Sequence, residues 1–249
     1  MRTLRHLLRL LSNSLRPCLA LVCLSSSAFG LVARNEIEVV EVAGPVIQVD
    51  DRGVTLVIEA GAKIRRKAKI SVGAEGRLVL ALSNGARALV GANSQFVVQA
   101  FVDSPSKGSL VELRPEFGRY TIALPRQGPG DVFVVRSSEG DQHLKTRGLY
   151  QLNIAQGSAA QQFVCLAGEV LFTPVASTSG PVRVKTGEQL SLASSGEALT
   201  TSIEPMNAAG RRAIVEQLAY EREFTVYPLE QNPTSTDVSK AAGGGSTAP

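Results

Sequence analysis

"RLVLALSNGARALVGANSQFVVQAF", residues 77–101, reads as an apolar run, an Asn-Gly pair, a short apolar run, the step Gly91-Ala92-Asn93-Ser94, and a third apolar run. Short runs rich in Val, Leu and Phe, bounded by Gly and Asn, are the signal of β-strands. Asn84-Gly85 between two of them predicts a hairpin with a type I′ turn. The stretch holds no His, no Cys and no acidic residue. Its residues can build a sheet but cannot move a proton or attack a bond, so it predicts scaffold.

The same pattern extends outward from Glu36 to about Leu192. "EIEVVEV" (36–42), "KIRRKAKISV" (63–72), "SLVELR" (109–114), "RYTIAL" (119–124), "DVFVVRS" (131–137), "LYQLNI" (149–154) and "QQFVCLA" (161–167) each read as one strand between Gly, Pro or Ser clusters. Many short strands at close spacing predict an all-β domain over residues 34–200, sandwich-like or solenoid-like. With no Trp and only 5% aromatic residues, aliphatic side chains must fill its core. One short C-terminal helix is predicted, capped by Asn207, with Ile214, Val215, Leu218 and Ala219 on one face. A short strand "FTVY" (224–227) follows it, which makes 201–227 a C-terminal appendage. Residues 228–249 hold few core-forming residues and read as a disordered tail.

The net charge of +4 invites a nucleic-acid reading, but its position argues otherwise. Arg2, Arg5, Arg9 and Arg16 lie in the first 30 residues, which contain no acid; taking these four from 26 basic residues leaves 22, against 22 acidic ones. Residues 1–33 combine that basic start with an apolar run from Cys18 to Leu24 and small residues at Ala28 and Gly30. This is the layout of a signal peptide, or of an N-terminal anchor if it is kept. The chain is therefore expected to be exported. Cys18 and Cys23 fall inside the leader, so the rest of the chain holds Cys165 alone and no internal disulfide is expected.

The β-rich stretch resembles the FecR domain, an extracytoplasmic β family. The residues that carry the resemblance are Gly44-Pro45-Val46, Gly61, Ile70 to Gly73, Leu78 to Leu82, Asn84-Gly85 and Gly91-Ala92-Asn93-Ser94, with "AGEVLF" (167–172) and "TGEQLSL" (186–192) as looser later steps. At "KTRGLYQLNI" the pattern departs, since Leu149 stands where the family carries Thr. The resemblance implies the β-domain of a family whose members often act as envelope sensors and anti-sigma regulators, and with the leader it implies a periplasmic or secreted location in a bacterial envelope. About 16 residues precede the apolar run, too few for a sigma-binding segment. The expectation is therefore a non-catalytic binding or scaffold protein without that cytoplasmic part. A membrane-anchored envelope sensor and a β-solenoid enzyme acting on polysaccharide are the alternatives.

Few residues can carry chemistry. His143, in the polar, loop-like stretch "EGDQHLK", and Cys165, in an apolar run, are the only His and Cys beyond the leader. Cys165 reads as a small core hydrophobe. No zinc set and no cofactor are expected. Glu36 and Glu38, with Asp50, Glu112, Glu116 and Glu139, could serve an enzyme only by converging in a groove; Asp50-Asp51-Arg52-Gly53 reads as a loop. The local oddity is "KIRRKAKI" (63–70). As a strand it would place Lys63, Arg65, Lys67 and Lys69 on one face, a candidate surface for an anionic polysaccharide or an envelope protein. No aromatic residue interleaves these cations, so nucleic acid is not expected.

Overall fold

The computed structural model describes residues 36–104, 107–145, 147–157, 160–175, 180–195 and 198–219. The expected leader (1–33), the "FTVY" strand and the tail (228–249) lie outside the described residues. The described strands are β1 (Ile37–Ala43), β2 (Val46–Val49), β3 (Thr55–Val57), β4 (Lys63–Ile64), β5 (Lys69–Val72), β6 (Arg77–Leu82), β7 (Arg87–Val90), β8 (Ser94–Ser104) and β9 (Gly108–Leu124). They continue as β10 (Val132–Arg136), β11 (Gly140–Leu144), β12 (Gly148–Ile154), β13 (Gln161–Ala167), β14 (Glu169–Pro174), β15 (Val182–Lys185), β16 (Glu188–Ser195) and β17 (Ala198–Pro205). One helix follows, α1 (Ala208–Ala219). The protein is all-β with a short C-terminal helix.

The strands form two facing sheets. The front sheet runs β4-β1-β6-β7-β9-β12-β13-β16-β17, and the back sheet β3-β2-β5-β8-β9-β10-β11-β14-β15. Every pair is antiparallel except β9–β10. β9 belongs to both: Gly108–Phe117 lies in the back sheet and Gly118–Leu124 in the front. From β10 onward each new strand pair, β10–β11, β12–β13, β14–β15 and β16–β17, is laid alternately on the back and the front sheet. The core lies between the sheets. Leu80, Ala88, Tyr120, Ile122 and Leu152 from the front meet Phe96, Leu113 and Val135 from the back around a void of about 10 Å³. That volume is at the lower limit for one water, so the two faces are packed against each other.

The middle of the front sheet is buried on its outer face as well. Val79, Leu89, Ala123, Leu149, Val164 and Leu166 form a second apolar cluster there, with Met206 and Ile214 packed on it. Burial on both faces accounts for the unbroken apolar runs "RLVLAL" and "FVCLA", where one-sided burial would give strict alternation.

Asn84-Gly85 does make a hairpin, but not the predicted type I′ turn. That turn needs positive φ at both residues, and of the two only Gly85 has it, at +83°. The Gly85 amide donates to the Leu82 carbonyl at 2.9 Å, and the Leu82 amide to Ala86 at 3.0 Å, closing a three-residue loop. The β2–β3 hairpin repeats this pattern: Gly53 (φ +79°) donates to Asp50, and Asp50 to Val54.

The Gly-x-Asn-Ser step builds the corner where β9 changes sheets. Asn93 sits at φ +50°, a left-handed position that Asn tolerates. The chain is thereby turned so that Ser94 is buried, at 1% exposure. The Ser94 hydroxyl accepts from the Arg119 amide at 3.1 Å and donates to the Ala92 carbonyl at 3.2 Å. Gly118 passes so close that a Cβ there would lie 2.1 Å from the Ser94 Oγ, and its φ is +115°. The Tyr120 hydroxyl lies 2.6 Å from the carbonyls of both Gln95 and Phe117 and can donate to either, pinning the bend from inside.

The structure corrects four readings of strand extent. The run 63–72 is two strands, separated by a turn. The runs 109–114 and 119–124 are one strand, β9. "EGDQHLK" holds strand β11 instead of a loop, and β17 carries the β-domain to Pro205, past the expected boundary at 200.

Candidate binding site

The stretch 63–70 does not present a cationic ladder. A turn at Arg65–Ala68 interrupts it, and Lys67 sits at its apex with φ +61°. The turn returns Ile64, Ala68 and Ile70 to the core while Arg66 stays exposed. Three of the four expected site cations are answered within the chain. Lys63 Nζ lies 2.7 Å from Glu36, Arg65 3.7 Å from Asp50, and Lys69 2.9 Å from Glu116. Lys67, at the apex of the turn, is exposed. Three of the four like charges are thus neutralised pairwise, which relieves the repulsion a continuous ladder would carry.

Of the acidic candidates, Glu36, Asp50 and Glu116 are used in these pairs, and the six are spread over the start and body of β1, the β2–β3 turn, β9 and the β10–β11 turn. Glu38 stands opposite Lys63 in the β1–β4 register, and Glu112 pairs with Arg136 at 2.7 Å. Asp50 is a turn residue: its Oδ1 accepts from the Arg52 and Val54 amides, each at 2.9 Å. The Val54 amide chiefly, then the Arg52 amide and Arg65, hold its carboxyl below the usual range despite some burial. Burial raises the Glu116 carboxyl, but hydrogen bonds from Lys69 and Gln95 outweigh it and leave the pKa lowered. His143 and Cys165 do not meet. His143 is opposite Val134 on β10, in the back sheet, while Cys165 is fully buried on the inner face of β13 in the front sheet. Burial, reinforced by Glu188 and Glu169, pushes the Cys165 thiol up to about 12, so it is inert at ordinary pH.

A polar cavity lies elsewhere, between α1 and the outer face of the front sheet. Its volume is about 380 Å³, at the low end for small-molecule sites. The floor is a cross-strand row: Arg119 on β9 is opposite Asn153 on β12, which is opposite Gln162 on β13. Asn153 Nδ2 donates to Gln162 Oε1 at 3.2 Å, and Gln162 Nε2 to Gln189 Oε1 on β16 at 3.3 Å. Asn153 Oδ1, at the head of this chain of amides, is buried without a hydrogen-bond partner. Val164, Met206 and Ile214 line the apolar side. Asn207 starts the roof: its Oδ1 caps α1 by accepting from the Gly210 amide at 2.6 Å.

Arg119 follows Gly118 directly, so the β9 corner aims it. Its guanidinium has no carboxylate partner among the described residues, and it also lines a second cavity of about 200 Å³ with Gly91, Ala92 and Thr121. Sequence reasoning did not single out this site. Its trace is the alternation of amides with apolar residues in "YQLNI" and "EQLSL", which reads equally as an ordinary solvent face.

No family model matches the chain, and no curated protein matches it either. Two crystal structures, each of a candidate anti-sigma factor from Parabacteroides distasonis, resemble it with TM-scores of 0.47. They are 17% and 16% identical and cover 59% of this chain. The chain spans 63% and 64% of theirs, less than two thirds of either.

Proposed function

We propose that the protein is a non-catalytic binding or scaffold module of the bacterial envelope, exported by its N-terminal segment and built on a FecR-like β-domain. One observation carries this reading. The polar cavity of about 380 Å³ beneath α1 is lined by amides, an arginine and aliphatic groups, which hold a ligand but supply no nucleophile and no general acid or base. The carboxylates that a polysaccharide-active enzyme would need are spread over both sheets, and Glu36, Asp50, Glu112 and Glu116 are held in ion pairs. The FecR-like assignment is supported by the Gly-x-Asn-Ser step, which builds the β9 corner and gives a turn motif a structural reason.

The test is made in cells. The full chain is expressed in a bacterial host, its N-terminus is sequenced, and the envelope is cross-linked. A leader removed near Gly30 to Ala33 and one partner recovered at fixed stoichiometry are expected. A purified chain that releases reducing ends from an acidic polysaccharide overturns the non-catalytic reading. A terminus still at Met1 overturns the cleaved leader in favour of an anchor.

A further inference from the structure

We propose that the cavity beneath α1 binds the carboxylate end of a short peptide, with Arg119 as the anion receptor and Asn153 as the acceptor for the last peptide N–H. The inference deepens the binding reading above and rests on it.

Three features of the cavity converge on this chemistry. The first is Arg119. A guanidinium presents its N–H donors as a planar fork that matches two carboxylate oxygens, and here no carboxylate of the described chain occupies it. The second is the direction of the amide chain. Donors run from Asn153 through Gln162 to Gln189, so the unmet group is an acceptor, Asn153 Oδ1. An unmet buried acceptor is unfavourable, and a turn of the Asn153 amide, which lines the cavity, lets it take a ligand N–H and restore the lost hydrogen bond. Arg119 and Asn153 are direct cross-strand partners whose backbones stand about one strand spacing apart, roughly 5 Å, and both line the same cavity. The N–H and carboxylate of a single C-terminal residue flank one Cα, about 2.5 Å apart, and hydrogen bonds of about 2.9 Å reach outward from each.

The third feature is the apolar side. Val164, Met206 and Ile214 offer aliphatic contact to one side chain. No aromatic ring lines the cavity among the described residues, so a sugar ring has nothing to stack on. A C-terminal residue with an aliphatic side chain meets all three requirements. The cavity volume leaves room for one further residue and little more.

The experiment titrates the full chain with N-acetyl-alanyl-leucine, with its C-terminal carboxamide, and with glucuronate, by calorimetry and amide NMR. Saturable binding of the free acid is expected, with the carboxamide and glucuronate at least tenfold weaker. Arg119→Met should weaken the acid at least tenfold and abolish its preference over the carboxamide. Asn153→Asp, nearly isosteric, should abolish binding by setting a negative charge against the ligand's own. Arg183→Gln, on β15 of the back sheet, should bind as the unaltered chain does. Equal affinity for acid and carboxamide, unchanged binding by a folded Arg119→Met chain, preferred binding of glucuronate, or no saturable binding of the acid each overturn the inference. A cross-linked envelope partner recovered despite such a result leaves the binding-module reading standing and shows that its site is elsewhere.

Discussion

Lys67 and Gly118 show how single backbone positions are spent in this fold. Lys67 holds φ +61°, where a side chain crowds the following carbonyl, at a cost of about 1 kcal/mol relative to glycine. Its amide still donates to the Val98 carbonyl at 2.7 Å, a bond that glycine keeps. Lys67→Gly should therefore raise unfolding stability by about 0.5–1 kcal/mol, read as a higher urea midpoint at unchanged slope. Gly118 is the opposite case. Any Cβ there strikes the Ser94 side chain and backbone, and nothing flexible can yield. Gly118→Ala should cost more than about 3 kcal/mol, among the larger single-residue effects. Cys165 gives a chemical test of the same core. With its pKa near 12, alkylation at pH 8 must wait for opening of the front sheet. Peptide mapping should find Cys165 unmodified in native conditions and labelled at the unfolding rate as denaturant is added; fast labelling of the native chain would show that the core is not closed there.

At the scale of elements, legibility followed apolar content. "RLVLAL" and "QQFVCLA" were readable as strands because both their faces are buried. "GDQHL" and "ALTTSIEP" were not, since β11 and β17 present polar residues on one face or lie at a sheet edge, where composition resembles a loop. The turn inside 63–72 was hidden because Lys67 supplies a left-handed residue that composition assigns to Gly or Asn. The cavity was hidden for a different reason: its floor comes from four strands, β9, β12, β13 and β16, that only the sheet order brings side by side, and its roof from α1 and the residues leading into it. The β9–β10 connection carries a titratable clasp of this non-local kind. Asp131 accepts from the Ser109 amide at 2.7 Å, the Ser109 hydroxyl at 2.9 Å and the Gly128 amide at 2.6 Å. Burial raises its carboxyl, but these hydrogen bonds prevail and hold the pKa below the ordinary value. A carboxyl lowered by folding contributes stability above its unfolded pKa and loses it as pH falls through the folded one. The clasp should thus be at full strength above about pH 4–5 and fade below. Asp131→Asn should destabilise the chain at pH 7 and flatten its acid-side stability profile; parallel profiles for the two chains would show that the clasp contributes nothing.

For the whole molecule, β9 is the member that makes two sheets one cooperative unit. Its first half pairs with β8 and β10 in the back sheet, its second with β7 and β12 in the front, and one continuous core cluster draws residues from both. Opening either sheet alone would expose the inner face of the other, forfeiting about 25 cal/mol for each Å² of apolar surface. Independent unfolding of the sheets is therefore disfavoured, although each holds several strand pairs. Native-state hydrogen exchange reads this directly. Amides of Val111 and Leu113, before the corner, should exchange with the same opening free energy as those of Ile122 and Leu124 beyond it, both matching global unfolding. The edge strands β3 and β17 should exchange earlier, because each is paired on one side only in the described structure. Ser94→Ala removes the hydroxyl that holds the Arg119 amide and should lower both halves of β9 together. A back half that opens at least about 1 kcal/mol below the front would mean that the corner joins two units instead of welding one, and Arg119 would then be held by the front sheet alone.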